Sequence, residues 1–347
     1  MLQRTDRGKK KTVLVAGGAG FVGSHLCDTL LARGQRVICV DSYLTGSEEN
    51  IRPLQNHPNF RFIERDICDL HDLDEPVDQI YNLACAASPP QYQADPVHTM
   101  MTCVVGTGRL LAIAERDKAS FLQASTSEVY GDPEEHPQRE DYRGNVNCTG
   151  PRACYDEGKR AAEALCFDML RAGRVDARVV RIFNTYGPRM APDDGRIVSN
   201  LIVQALAGQP LTIYGTGEQT RSFCFVSDLV AGLVKLMEVD PNPGQPVNIG
   251  NPGEFTINEL AEMVLSMVPT GSRIVYHPLP KDDPQRRRPD ISRAKACLDW
   301  EPQVPLVEGL RKTIDYFMAL EAQTAKTKRL LPKRMPNDRN KQIPLGA

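Results

Sequence analysis

The fold is decided by one stretch near the start of the chain, TVLVAGGAGFVG at residues 12–23. Its first five residues are apolar or β-branched, which predicts a buried strand. Four glycines follow, and three of them, Gly17, Gly20 and Gly23, give a G-x-x-G-x-x-G spacing that permits a tight turn and a close approach of the backbone to a bound group. A helix that begins at Phe21 would direct its free N–H groups at an anion such as a pyrophosphate. The stretch therefore predicts a dinucleotide site between a strand and a helix.

Beyond this stretch, short β-branched runs alternate with longer helical patterns. The alternation predicts an α/β fold with a parallel, doubly wound sheet. The predicted helices are 21–33, 96–116 and 155–171, and the predicted strands are 12–16, 36–40, 60–64, 79–83, 120–124 and 177–182. After about residue 184 proline and glycine become frequent, which indicates a smaller C-terminal α/β lobe with helices at 258–267 and 307–320.

We therefore divide the chain into four parts. They are a flexible basic N-terminus (1–11), a dinucleotide-binding domain (12–183), a substrate-binding lobe interleaved with it (184–325) and a flexible basic tail (326–347). Blocks of basic residues like those in the tail are usually solvated and disordered.

The composition favours an ordinary globular enzyme. The chain has 347 residues, of which 41% are hydrophobic and 25% charged, with a formal net charge of −2. This balance argues against a nucleic-acid-binding protein. No signal-type N-terminus and no long apolar run is present, so we expect no membrane contact and a cytoplasmic location. The ten cysteines form no C-x-x-C pair or zinc-ligand pattern, which predicts reduced thiols and no metal site.

Two aspartates follow predicted strands, where a dinucleotide would lie. Asp41 comes 18 residues after Gly23, and a carboxylate there can bind both ribose hydroxyls of NAD and repel the 2′-phosphate of NADP. Asp66 and Ile67 lie where an adenine could be held, although Asp66 could equally be an ordinary turn residue. The predicted cofactor contacts also include Phe21 and Val22 of the glycine stretch.

Tyr155 and Lys159 form a Y-x-x-x-K pattern on a predicted helix. The i, i+4 spacing places both side chains on one face. A neighbouring ammonium favours the phenolate, so we expect a lowered pKa for Tyr155 and a role as a general base. Lys159 could also reach the ribose of the nicotinamide.

These residues together resemble a known superfamily. The glycine stretch, Asp41, Thr126 and the Tyr155–Lys159 pattern are similar to those of the extended short-chain dehydrogenase/reductases. Within that superfamily, longer segments spread over residues 12–320 resemble the UDP-glucuronic acid decarboxylases. They are ASTSEVYGDP (124–133), GPRACYDEGKR (150–160), RIFNTYGPRM (181–190), DGR (194–196), QTRSF (219–223), DDP (282–284) and RPDI (288–291).

The resemblance implies a Rossmann-type domain, NAD as cofactor, a UDP-sugar substrate and a redox-neutral reaction. The C4 hydride of UDP-glucuronate would pass to NAD⁺ while Tyr155 takes the hydroxyl proton, with Thr126 and Tyr155 stabilising the C4 oxygen. The resulting C4 ketone would accept the electron pair released as CO₂ leaves. Return of the hydride would give UDP-xylose and regenerate NAD⁺.

The triplet Thr126-Ser127-Glu128 separates this chain from related enzymes. The 4,6-dehydratases of the superfamily carry aspartate at the second position, and serine cannot act as that acid. The 4-epimerases usually lack the glutamate. By resemblance, Glu128 and Arg221 would lie near the sugar carboxylate and C5, although a structural salt bridge between them is the alternative. The division of roles between these two residues stays open.

Five further residues resemble substrate contacts of the family. They are Tyr92, Asn184, Arg196, Tyr214 and Arg288. An arginine suits this task because its planar guanidinium can pair bidentately with phosphate oxygens. For each residue a structural role is the alternative, and for Tyr92 that alternative is ordinary aromatic packing.

The superfamily also implies a homodimer. Helices 96–116 and 155–171 correspond to the pair that forms a four-helix bundle between subunits, although the same apolar positions could line the core. Two rival functions remain. One is a UDP-sugar 4-epimerase or 4,6-dehydratase, and the other is an inactive NAD- or nucleotide-binding protein. The presence of Thr126, Tyr155 and Lys159 argues against inactivity.

Overall fold

The computed structural model describes residues 10–278 and 286–330. The predicted N-terminal segment 1–11 and tail 326–347 therefore fall mostly outside the described residues, as does the DDP segment at 282–284. The last described helix continues to Leu330, past the predicted boundary at residue 325.

Within these ranges the chain forms fourteen strands and eleven α-helices. The strands are β1 (Thr12–Ala16), β2 (Arg36–Asp41), β3 (Phe60–Glu64), β4 (Gln79–Asn82), β5 (Ser120–Thr126), β6 (Asp176–Ile182), β7 (Thr185–Tyr186), β8 (Leu211–Tyr214), β9 (Thr220–Ser222), β10 (Cys224–Phe225), β11 (Val247–Ile249), β12 (Glu254–Thr256), β13 (Ile274–His277) and β14 (Arg286–Arg287). The helices are α1 (Phe21–Ala32), α2 (Glu48–Ile51), α3 (Pro89–Ala94), α4 (Pro96–Met101), α5 (Thr107–Asp117), α6 (Ala153–Arg171), α7 (Ile197–Leu206), α8 (Val226–Glu238), α9 (Ile257–Met267), α10 (Ser292–Leu298) and α11 (Leu306–Leu330).

Seven strands form one parallel sheet in the order β11-β6-β5-β4-β1-β2-β3. The strand order reverses between β1 and β4, and ligands of such sheets bind in the crevice beyond the carboxyl ends at this point. The predicted doubly wound, Rossmann-type fold is confirmed. The pairing of β1 with β2 places the glycine stretch beside the end of β2, where Asp41 lies.

Both faces of the sheet are buried, which explains the unbroken apolar run in β1. Val13 and Val15 belong to one apolar cluster, and Leu14 and Ala16 belong to a second cluster on the opposite face. The clusters are covered by different helices because successive side chains of a strand point to opposite faces.

The predicted helix 96–116 is divided in the structure. A π-helical segment, Thr102–Gly106, separates α4 from α5. Together these segments, Pro96–Asp117, are long and apolar enough to cross a membrane by length and composition, but half of that apolar stretch is buried inside the fold. A helix in the core of a globular protein can have the same length and apolar composition.

The C-terminal lobe returns twice to the first domain. Strand β11 pairs with β6 and completes the large sheet, and α8 packs against α1 and β6. Three small sheets, β10-β7, β12-β9-β14 and β13-β8, lie in the lobe together with α7 and α9. Strand β9 positions Arg221 and β14 positions Arg287, so the lobe supplies charged side chains from its own strands.

Candidate active site

A cavity of about 960 Å³ follows the carboxyl ends of the strands of the large sheet. One end, which we call the glycine-loop end, is lined by the stretch from Gly17 to Gly23 with Asp41 and Asp66. The other end, which we call the arginine cluster, contains Glu128, Arg152, Arg221 and Arg287. Thr126, Tyr155 and Lys159 line the wall of the same cavity.

The glycine-loop end is closely packed at two positions. Gly17 has a φ of +75°, and a Cβ there would lie 2.8 Å from the backbone nitrogen of Ala84. At Gly23 a Cβ would lie 2.0 Å from the carbonyl oxygen of Gly17. Only glycine fits either position, and the backbone at the start of α1 is left open to the cavity. This cradle fits the pyrophosphate of a dinucleotide.

Asp41 is fixed at the end of β2 by two backbone donors. Its Oδ2 accepts from the Ala19 N–H at 2.9 Å, and its Oδ1 accepts from the Tyr43 N–H at 2.8 Å. Burial raises the pKa of Asp41, and its backbone hydrogen bonds oppose this rise. The carboxylate lines the cavity, where it could accept from the ribose hydroxyls of a dinucleotide.

Asp66 also lines this end, but it has a protein partner that the sequence did not indicate. Its Oδ2 lies 2.7 Å from Nε2 of His98, and its Oδ1 accepts from the Cys68 N–H at 2.7 Å. Burial acts to raise the pKa of Asp66, but the Cys68 and His98 contacts outweigh it and the pKa lies below its usual value. His98 lines the cavity, and so does Ile67.

Tyr155 and Lys159 share one face of α6. The Lys159 Nζ lies 5.7 Å from the centre of the Tyr155 ring and donates to the Ala124 carbonyl at 2.9 Å. Tyr155 is buried and hydrogen-bonds with Thr126. The expectation of a lowered pKa is wrong for the protein alone, because burial and then the Cys85 thiol raise the pKa of Tyr155 well above its ordinary value. The ammonium of Lys159 is held at a backbone carbonyl and does not offset this rise.

Tyr92 is placed differently from the expected substrate contact. Its ring stacks on the ring of Tyr155, with centroids 4.9 Å apart and an interplanar angle of 5°. Tyr92 is almost fully buried and does not line the cavity. In this geometry it supports the Tyr155 ring from behind, which corresponds to the packing alternative.

The arginine cluster surrounds Glu128. Arg287 donates to Oε1 of Glu128, and Arg152 donates to Oε2 at 3.4 Å. The pairing of β14 with β9 places Arg221 beside Arg287. Burial acts to raise the pKa of Glu128, but the charges of Arg287 and Arg152 outweigh it, so the pKa is lowered and the carboxylate is ionised. The cluster places three guanidinium groups around Glu128, and guanidinium groups pair well with anionic ligand groups.

Arg287 is a functional candidate that the sequence reasoning missed. The expected residue, Arg288, pairs instead with Glu254 at 3.4 Å and does not line the cavity. The reason is the alternation of side chains along a strand, which allows only one of two successive residues to face the site. Arg287 is buried, whereas the Arg288 side chain is 40% exposed.

The remaining predicted substrate contacts do lie along the cavity. Asn184, Tyr214 and Ser127 line it, and so does Arg196, whose guanidinium pairs with both carboxylate oxygens of Asp194 at 2.5 and 2.6 Å. In residues 10–278 and 286–330, no group of three or more His, Cys, Asp or Glu side chains is placed to hold a metal ion.

Comparison with known proteins places this geometry in a family. Residues 13–250 match the model of the NAD dependent epimerase/dehydratase family. A structural relative, UDP-glucuronic acid 4-epimerase from Bacillus cereus in complex with UDP-glucuronic acid and NAD, is similar with a TM-score of 0.81 and 30% identity, covering 89% of this chain and 99% of that one.

Sequence relatives narrow the group. UDP-glucuronic acid decarboxylase 1 of Danio rerio is 54% identical over 312 residues, which are 89% of this chain and 73% of that protein. UDP-glucuronic acid decarboxylase 4 of Arabidopsis thaliana is 56% identical over 305 residues, which are 88% and 68% of the two chains. The predicted resemblance is confirmed. The chain belongs to the NAD dependent epimerase/dehydratase family and, within it, to the UDP-glucuronic acid decarboxylases.

Proposed function

We propose that this protein converts UDP-glucuronate to UDP-xylose and CO₂ with NAD as a cofactor that is regenerated in each cycle. One observation carries the proposal: a single cavity joins a dinucleotide cradle to a carboxylate-binding arginine cluster, with Tyr155 and Thr126 in its wall. A 4-epimerase that acts on UDP-glucuronic acid would also bind the sugar carboxylate, and the relatives at 54% and 56% identity favour decarboxylation instead. A 4,6-dehydratase needs an acid at the position of Ser127, which a hydroxyl does not supply.

The glycine-loop end holds the cofactor in this proposal. The open backbone at Gly17, Gly20 and Gly23 would bind the pyrophosphate, and Asp41 would accept from the ribose hydroxyls. When bound, NAD⁺ supplies a positively charged ring and a reversible hydride acceptor for the sugar C4. Lys159 lies close to the Tyr155 ring and would position both the phenol and the ribose of the nicotinamide.

Tyr155 and Thr126 act at the sugar O4. Tyr155 takes the proton of the hydroxyl as the C4 ketone forms and gives it back when the alcohol is restored. The Thr126 hydroxyl, already hydrogen-bonded with Tyr155, lies where it can donate to the developing oxyanion. The stacked ring of Tyr92 fixes the phenol in the orientation that both steps require.

The arginine cluster acts on the carboxylate. Arg221 and Arg287 would orient the carboxylate of the sugar. Glu128, held between Arg287 and Arg152, would restrict the position of that carboxylate by charge repulsion and by water-mediated hydrogen bonds. Loss of CO₂ leaves an electron pair that the neighbouring C4 ketone delocalises. A proton then returns to C5, where the ionised Glu128 can orient the donor water.

The test is direct. The protein is incubated with UDP-glucuronate and a catalytic amount of NAD⁺, and CO₂ and the nucleotide sugar are followed by mass spectrometry. We expect the loss of one CO₂ per sugar without NADH accumulating in proportion. UDP-glucose is the control, because its C6 hydroxymethyl group cannot leave as CO₂. An unchanged sugar mass with UDP-glucuronate would overturn the proposal.

We also propose that the protein is a homodimer through a four-helix bundle of α4–α5 and α6. Val97, Met101 and Val105 are exposed by 69%, 44% and 39%, and their spacing of four residues forms an apolar stripe along α4 and the π-helical segment. Light scattering should give the mass of a dimer, and Val97→Glu with Met101→Glu should give a monomer. A dimer that survives both substitutions would exclude this surface.

A cytoplasmic location is proposed as well. All ten cysteines are thiols, the state that reducing compartments maintain. Fractionation of the source cells with an antibody to the chain tests this proposal, and a signal confined to a membrane or secreted fraction would refute it.

A further inference from the structure

Two thiols lie against each other in the wall of the cavity. Cys85 follows β4, and Cys103 lies in the π-helical segment Thr102–Gly106. Their sulfur atoms are 3.5 Å apart. Cys85 lines the cavity, whereas Cys103 is only 2% exposed and lies behind it. The pair is therefore a dithiol with one sulfur open to small solutes.

The charge around this pair favours a thiolate. The contact with Cys85 lowers the pKa of Cys103 to about 7, with burial acting against this and the charge of Lys159 acting in the same direction. The same contact, together with burial, raises the pKa of Cys85. Near neutral pH the two sulfurs therefore share a single proton in a large fraction of molecules. A thiolate, rather than a thiol, is the nucleophile in oxidation.

A second pair of thiols offers an internal comparison. Cys27 and Cys39 are also in hydrogen-bonding contact, beneath the glycine loop. Both are fully buried and neither lines the cavity. Contact with Cys27 and burial raise the pKa of Cys39, so Cys39 holds its proton. The two pairs share their chemistry but differ in access and charge.

We propose that Cys85 and Cys103 form an oxidisable dithiol site, which peroxides convert to a disulfide and thereby switch the enzyme off. The proposal assigns a modification site to the wall of the cavity. Its effect on activity rests on the proposed function, whereas the formation of the disulfide does not.

The chemistry takes two steps. Transfer of the shared proton from Cys85 to Cys103 across the 3.5 Å contact gives a minor population of Cys85 thiolate, which lines the cavity. This thiolate attacks hydrogen peroxide; an S–O bond forms, the O–O bond breaks, and hydroxide leaves and takes up a proton from solvent. The Cys103 sulfur then attacks the sulfenic acid of Cys85; the S–S bond forms, the S–O bond breaks, and water leaves with the Cys103 proton. Overall the two thiols lose two electrons and two protons, and one peroxide becomes two waters.

The bond would disturb the catalytic groups on both sides. The two sulfurs must approach from 3.5 Å to about 2.0 Å. Cys103 packs on Gly158, the residue before Lys159, since a Cβ at Gly158 would lie 3.0 Å from the Cys103 Cβ. Cys85 follows Ala84, whose backbone packs on Gly17. Closing the disulfide therefore shifts Lys159 or the glycine loop, and a misplacement of about 1 Å can cost about 10²-fold in rate.

The experiment treats the full chain with hydrogen peroxide, alkylates the remaining thiols, and maps disulfide-linked peptides by mass spectrometry. We expect a Cys85–Cys103 link before any Cys27–Cys39 link. Decarboxylase activity should fall by about 10²-fold, and dithiothreitol should reverse both changes. Cys103→Ser should remain active and resist peroxide, and Cys85→Ser should give no linked peptide. Cys148→Ser removes an exposed thiol and should stay as sensitive as the parent chain.

Each other outcome overturns a defined part of the proposal. Absence of the linked peptide, or equal inactivation of Cys103→Ser by peroxide, refutes the site. A complete link with unchanged activity refutes the switch and leaves the site. Should a serine variant fail to fold, phenylarsine oxide, a trivalent arsenical that captures paired thiols, is added to the parent chain. Mapping must then show Cys85 and Cys103 protected from alkylation, a readout that needs no enzymatic activity.

Discussion

The two ends of the cavity are built in opposite ways. The glycine-loop end comes from the consecutive residues Gly17 to Gly23, together with Asp41 and Asp66, which lie at or just after the carboxyl ends of the next two strands of the sheet. The arginine cluster brings together Glu128 and Arg152 of the first domain with Arg221 and Arg287 of two lobe strands. Local sequence determines the first end, and tertiary packing determines the second. The cofactor end is thus a property of the fold, while the carboxylate end depends on how the lobe docks.

The largest effect should come from the group between the two ends. Replacing Tyr155 by Phe removes the proton carrier but keeps the ring that stacks on Tyr92. We expect kcat to fall by about 10³–10⁴-fold, while NAD affinity measured by calorimetry changes little. A strong loss of NAD affinity in this variant would show that Tyr155 contributes to cofactor binding as well as to catalysis.

The arginine cluster can be broken with a matched pair of variants. Arg287→Gln leaves the partly buried Glu128 without its closest cation, and we expect kcat/KM to fall by about 10²–10³-fold. Arg288→Gln removes an exposed pair with Glu254 outside the cavity, and we expect less than about a threefold change. Steady-state kinetics with UDP-glucuronate measures both. Equal losses would mean that the register of β14 does not select the functional arginine.

The glycine-loop end is tested by Asp41→Asn. Removing the charge should weaken NAD binding by about 10–100-fold, because hydrogen bonds to charged groups contribute roughly 1.5–3 kcal/mol. The ratio of the NAD affinity to the NADP affinity should fall at the same time. Competition calorimetry with both dinucleotides gives the ratio. An unchanged ratio would exclude Asp41 as the discriminating residue.

Asp156 offers a smaller, pH-dependent test beside the arginine cluster. It is buried, and one of its carboxylate oxygens has no hydrogen-bond partner among the described residues. Burial and the charge of Glu128 raise the pKa of Asp156 to about 7 from 3.8. The native state therefore binds more protons than the unfolded state between these values, and Asp156 destabilises the fold progressively as the pH rises through this window.

Asp156→Asn removes this titration. Relative to the parent chain, the variant should gain about 2 kcal/mol of stability between pH 5 and pH 7. Urea unfolding at several pH values measures the difference. A constant gap between the two proteins across this range would contradict the raised pKa.

The same contrast explains what the sequence could predict. The large sheet, the glycine loop and the position of Asp41 follow from patterns within single segments, and the predicted fold and family are confirmed. Arg287 could not be chosen over Arg288, because the choice depends on which face of β14 meets Glu128. The role expected for Tyr92 and the lowered pKa of Tyr155 depended on surroundings that only the packed structure supplies, namely the stacking of the two rings and the burial of the phenol.

The π-helical segment at residues 102–106 could not be predicted from the sequence either. Its apolar pattern continues without interruption through α4 and α5, so periodicity predicts one helix. The pairing of β11 with the large sheet could not be predicted either, because the sequence of a three-residue strand is too short to show a recognisable strand pattern. Both features depend on contacts with distant parts of the chain.

The most direct test of the account is the fate of the C4 hydrogen. UDP-glucuronate labelled with deuterium at C4 is converted by the protein with a catalytic amount of unlabelled NAD⁺, and the product is analysed by mass spectrometry and NMR. A cavity that holds cofactor and carboxylate at once predicts UDP-xylose with deuterium retained at C4 and no build-up of NADH. Loss of the label from C4, or NADH formed in proportion to CO₂, would contradict it.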